Sequence, residues 1–126
     1  MNPKKLGLAA ALAVSVSTTA IAEEQVVNFY NWSDYISPEI LDNFTKETGI
    51  KVNYDVYDSN EGLEAKLMAG GSGYDVVVPT GSFLERQVQA GIYAEIDRAQ
   101  LNKSGNLDSM MLEKIARHDA GNIHNV

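Results

Sequence analysis

Asn28-Phe29-Tyr30-Asn31-Trp32-Ser33-Asp34-Tyr35 follows the apolar pair Val26-Val27 and precedes Ser37-Pro38-Glu39. Residues 25–30 read as a β-strand. The Ser-Pro-Glu run reads as a helix start: Ser37 is a good cap, Pro38 suits the first helical position, and Glu39 complements the helix dipole. The octapeptide therefore sits where the carboxyl end of a strand opens into a βα loop, the place where open α/β sheets bind ligands. It offers aromatic rings and one carboxylate, and no cation. Ring faces attract cations by about 0.5–2 kcal/mol each, and Asp34 supplies a charge-assisted hydrogen bond. Such a surface suits a ligand both positively charged and apolar. A lone tryptophan is by itself a packing residue; its place in a polar strand-end loop, two residues before Asp34, turns Trp32 into a candidate ligand wall. Tyr30 alternates with Phe29 and reads as core.

Outward from this stretch the chain alternates strand and helix. A first helix spans about residues 38–48, with Ile40, Leu41, Phe44 and Thr48 on one face and Gly49 as its terminator. Residues 50–56 alternate apolar and polar, a second strand. Asp58 or Ser59 caps a second helix that carries Leu63, Leu67 and Met68 inward and ends at Gly70-Gly71. Residues 74–79 form a short apolar strand of the buried parallel type. Thr80-Gly81-Ser82 is the next βα turn, with Ser82 and Glu85 as a capping box for a third helix that turns Phe83, Leu84 and Val88 to the sheet and closes at Gly91. Residues 92–96 are a short strand or extended connection, and residues 102–106 a polar loop. Asp108 caps a last helix that buries Met111, Leu112 and Ile115. The tail from residue 119 shows no period. This order calls for right-handed βαβ units, a parallel sheet with flanking helices and an α/β fold, with the turns at Asn31, Tyr57 and Thr80 gathered on one edge.

The remaining motifs carry less. Gly70-Gly71-Ser72-Gly73 follows a helix and has no lysine after it, so it is a turn and not a phosphate cradle. A calcium loop beginning at Asp58 fails, because its glycine falls one position early and Ala69 stands where a bidentate glutamate is needed. His118 and His124 stand in or near the unpatterned tail, where nothing in the spacing fixes a metal geometry or pairs them with a serine in an elbow.

The 126 residues suffice for one small domain of ordinary composition, 44% hydrophobic and 21% charged, without cysteine. Lys4 and Lys5, an apolar run over residues 6–16, and Ala20-Ile21-Ala22 have the order of a secretory signal peptide cleaved after Ala22. No cysteine stands at that point to take a lipid. Residues 1–22 are thus read as a leader and residues 23–126 as the domain. Losing Lys4 and Lys5 takes the Lys plus Arg count from 10 to 8 against 17 acids, so the mature charge is 8 − 17 = −9. An acidic surface disfavours nucleic acid and anionic lipid and favours cationic partners.

Tyr30-Asn31-Trp32-Ser33-Asp34-Tyr35-Ile36, together with Lys46-Glu47-Thr48-Gly49-Ile50-Lys51-Val52, resembles the start of the bacterial periplasmic polyamine-binding proteins, the putrescine and spermidine receptors of ABC importers. Asp58-Ser59-Asn60-Glu61, Lys66-Leu67-Met68-Ala69-Gly70, Tyr74-Asp75-Val76-Val77-Val78-Pro79 and Ser82-Phe83-Leu84-Glu85-Arg86-Gln87 continue the likeness over nearly the whole mature chain, leaning to the putrescine-preferring branch. The resemblance implies part of one α/β lobe of the type II periplasmic-binding-protein kind, truncated before the second lobe, since members are much longer. It implies a periplasmic, non-enzymatic, monomeric protein with a polyamine ligand, an ABC permease as partner, no nucleic acid and no cofactor. Residue by residue, Trp32, Ser33 and Asp34 match the family's first binding loop, Tyr35 adjoins it, Thr80 matches a hydroxyl position after the third strand, and Ser82 follows more weakly.

Overall fold

The structure, a computed structural model, describes residues 24–126; the leader expected over residues 1–22 lies outside them. Three parallel strands form the sheet in the order β2-β1-β3, with β1 Val26–Trp32, β2 Lys51–Tyr57 and β3 Val76–Val77. Among the described residues four α-helices follow their strands or come later in the chain: α1 Pro38–Thr48, α2 Asn60–Met68, α3 Gly81–Gln89 and α4 Ser109–Ile115.

The register pairs Tyr30 with Asp55 and Trp32 with Tyr57. Side chains alternate along a strand, so Tyr30 and Trp32 share one sheet face, and Tyr57 packs against both rings at 4.8 and 4.7 Å. Helix α2 covers this face. Its Leu63 is fully buried and joins Tyr30 and Tyr57 in the core, with Trp32, Leu67, Tyr74 and Val77 around them. On the opposite face Phe29 meets Tyr54 edge-on at 5.5 Å, and Leu41 and Thr45 of α1 share a groove with Val52. Beside the core, the Lys66 ammonium lies 5.0 Å from the Tyr30 ring centre and 5.2 Å from that of Tyr74. Lys66 donates to the Tyr74 hydroxyl, which donates to Asp55.

Most purely local signals are obeyed, although the Ser37 side chain makes no capping hydrogen bond. Helix α1 begins at Pro38 and stops at Gly49, whose φ of 74° is left-handed. No atom lies within 4 Å of where a Cβ would stand, so the requirement is conformational alone. Gly49→Ala should cost about 1 kcal/mol, read from a thermal melt; a neutral result would mean that the turn relaxes. Ser59 caps α2 by accepting from the Gly62 amide, and Asp108 caps α4 by accepting from the Met110 and Met111 amides.

Several expectations are corrected. β1 runs two residues further than read, because its pairing with β2 continues to Trp32. β3 is only two residues long, since it pairs with β1 on one side and borders no further strand among the described residues. Residues 92–96 form no strand. Met68 and Met111 are exposed; Met68 ends α2 beyond the reach of the sheet, and α4 makes no more than passing contact with the other elements. The capping box at Ser82 does not form. Thr80 is the N-cap residue, and the Glu85 carboxylate faces His118 at 3.1 Å instead of turning back. No helix among the described residues is long and apolar enough to cross a membrane.

Candidate functional site

Strand order places the site. β1 leads outward to β2, and the next crossover returns past β1 to β3, so the chain changes direction between β1 and β3. In open α/β sheets the crevice at the carboxyl ends of such strands is where ligands bind. The turns after β1 and β3 hold Trp32, Ser33, Asp34 and Tyr35 on one side and Thr80 and Ser82 on the other.

Four hydrogen bonds stitch the three turns together. The Trp32 indole N–H donates to the Val78 carbonyl at 2.8 Å, and the Tyr57 hydroxyl donates to the same oxygen at 2.5 Å. The Ser33 amide donates to the Tyr57 carbonyl at 3.2 Å. The Thr80 amide donates to the Asn60 side-chain oxygen at 3.0 Å. Trp32 is thereby held two residues from Thr80 in the partner turn. Its N–H serves the fold, and its ring packs on Tyr57 while lying 6.0 Å from that of Tyr35. Trp32 is half-buried, so packing and ligand wall are compatible roles for one side chain.

Asp34 has φ 62°, a left-handed conformation that few non-glycine residues adopt and that costs about 1–2 kcal/mol. Such strain concentrates at functional positions. Ser33, Asp34, Thr80 and Ser82 are exposed, and Tyr35 is 68% exposed. The six expected residues thus stand at or just past the carboxyl ends of β1 and β3, five of them exposed and Trp32 half-buried. Tyr57 and Asn60, outside the expected site residues, join the turns. The one sequence signal for Tyr57 was its position at the end of the alternating second strand. Asn60 was legible only as a helix-start residue.

Burial pushes the Tyr57 hydroxyl up to about 12 from an ordinary 10.0, and burial raises Tyr93 as well. Above pH 10 the unfolded chain gives up these protons while the folded chain keeps them. Stability is then whole below pH 10 and declines as pH rises towards 12. Tyr57→Phe should lower stability by about 1 kcal/mol at neutral pH and flatten the alkaline decline; an unchanged alkaline slope would assign the decline elsewhere.

An open parallel sheet with flanking helices, its strand-end turns joined at the switch point, has the architecture of a solute-binding lobe of the periplasmic-binding kind. Solved structures agree. The spermidine/putrescine ABC transporter substrate-binding protein PotD of Streptococcus pneumoniae superposes with TM-score 0.67 and 35% identity over 71% of this chain and 28% of its own. The Tp0655 (TpPotD) lipoprotein of Treponema pallidum gives TM-score 0.68 and 33% identity over 73% and 29%. The chain is 56% identical over 113 residues to the putrescine-binding periplasmic protein PotF of Escherichia coli (strain K12), covering 90% of this chain and 30% of that one. It is 55% identical over 118 residues to the putrescine-binding periplasmic protein SpuD of Pseudomonas aeruginosa, covering 93% and 32%. The family model described as hypothetical lipoprotein (MG045 family) matches residues 1–123. The chain belongs to that family, and its homologues are periplasmic putrescine- and spermidine-binding proteins. It spans about 30% of the length of the curated relatives it matches.

Proposed function

We propose that this chain supplies one wall of a polyamine site, with putrescine as the preferred ligand, in a periplasmic receptor that delivers its solute to an ABC permease of the inner membrane. The observation that carries the reading is the bond from Trp32, two residues before Asp34, to Val78, two residues before Thr80, across the β1–β3 switch point. The Trp32 and Tyr35 rings flank the methylenes of the diamine, and the Asp34 carboxylate holds one ammonium. Ser33, Thr80 and Ser82 add hydroxyl contacts. No bond is made or broken. The names of the relatives, putrescine-binding and spermidine/putrescine-binding, support the same ligand class, as does the acidic composition. In this reading a leader ending at Ala22 directs export, the receptor acts as a monomer, and the opposing wall of the cleft comes from outside these residues, closing on the solute as two-lobed receptors do.

The test is calorimetry of putrescine and spermidine binding, with a sugar and a ferric chelate as competitors. Saturable heat from the diamines that neither competitor displaces is expected. Heat from a competitor alone would move the site to another solute class.

A further inference from the structure

The turn that carries Thr80 and Ser82 is packed from one side by a residue 37 positions away. A Cβ built on Gly81 would lie 2.7 Å from the His118 ring nitrogen Nε2, closer than real Cβ atoms come. Gly81 has an ordinary helical φ, so position 81 requires the absence of a side chain and not conformational freedom.

The polar partners of His118 define its proton. The Arg117 Nε–H donates to Nε2 at 3.2 Å. A guanidinium only donates, so Nε2 accepts and the proton sits on Nδ1, which faces the Glu85 carboxylate at 3.1 Å. The His118 ring thus stands between Arg117 of its own segment and Glu85 of α3. Asp119, next in the chain, is turned away. It is buried and accepts from the His124 amide at 2.7 Å, from His124 Nδ1 at 2.9 Å and from the Asn125 amide group at 2.6 Å. The Arg98 guanidinium fastens the same segment through the Asn122 and Asn125 carbonyls. The tail therefore holds the backbone at residue 118 while the imidazole rests on Gly81.

We propose that His118 is a positioning residue of the strand-end site: its ring, seated on Gly81 and held between Arg117 and Glu85, sets the geometry of the Thr80–Ser82 turn. The effect on a ligand rests on the polyamine reading; the packing does not.

Two measurements on the full chain test it. The first is a thermal-stability cycle. Gly81→Ala should destabilise the parent protein and be neutral or stabilising in the His118→Ala background, where alanine is simply the better helix former. Equal, additive losses would overturn the packing role. The second is putrescine titration, followed by fluorescence of the single tryptophan and by the Thr80 amide resonance. His118→Ala should shift that resonance and lower affinity roughly threefold to tenfold, and His118→Asn, which keeps a donor towards Glu85, should restore most of it. Unchanged affinity and resonance in His118→Ala would overturn the positioning role. The absence of any putrescine response in a chain that carries both walls would defeat the receptor reading, while the thermal cycle still decides the packing of His118 on Gly81.

Discussion

Leu63→Ala is expected to remove about 3 kcal/mol of stability, at the centre of the range for large-to-small core substitutions. Leu63 is completely buried, and the apolar residues buried with it are few: Tyr30, Tyr57 and Leu84. Its side chain fills the space between α2 and the rings of Tyr30 and Tyr57. Those rings cannot collapse onto an alanine, because Tyr57 is tied to the Val78 carbonyl and Tyr30 is stacked on Tyr74 with centres 4.3 Å apart. A cavity is left, and its lining loses dispersion contacts. For a small domain with about 5–10 kcal/mol in total, the midpoint of a thermal melt should drop by roughly 15 °C. Met68→Ala, one turn on but exposed, should cost less than about 1 kcal/mol. Similar losses for the two variants would mean that Leu63 is not the centre of the core. Because Leu63 also supports Tyr57, and Tyr57 supports Trp32, the same variant should weaken any ligand response at the strand ends.

Asp34→Gly is expected to raise stability slightly and lower putrescine affinity by roughly 10- to 100-fold. The two effects have separate causes. At φ 62° glycine relieves a left-handed backbone by about 1 kcal/mol. The lost carboxylate removes a charge-assisted hydrogen bond of about 1.5–3 kcal/mol. A stabilised protein with weakened binding is hard to obtain by general damage, which makes the pair diagnostic. Trp32→Phe is the companion. It keeps a ring for the methylenes and loses the N–H bond to Val78, so it should cost more stability, about 1 kcal/mol, than affinity. Trp32→Ala should lose both. Binding that survives Asp34→Gly and Trp32→Ala unchanged would remove the site from this face of the sheet.

The parts of this fold that were legible from residues alone are those whose causes lie within one turn of chain. Pro38 opens α1 and Gly49 closes it through backbone conformation, and Ser59 and Asp108 cap their helices by accepting from amides two or three positions away. The Ser82–Glu85 capping box failed for the opposite reason. The glutamate had a competing partner, His118, which is distant in sequence and adjacent only once the chain is folded. The tail gave no periodic signal, since its order comes from one buried carboxylate, Asp119, and the donors around it and not from an amphipathic face.

The candidate site divides in the same way. Residue types and the strand-to-helix junction were enough to single out Trp32, Ser33, Asp34 and Tyr35 as a ring-and-carboxylate surface, and Thr80 and Ser82 as hydroxyls in another turn of the same kind. Amino-acid order by itself determined the types of the longer elements, their boundaries to within two residues, and the chemistry each turn presents. Only the tertiary structure decided that these turns meet, and that Tyr57 and Asn60 join them. The physical reason is range. Turn and cap signals act over three or four residues, whereas the bonds that join the site span 20 to 46 positions and depend on the parallel register that places β3 beside β1.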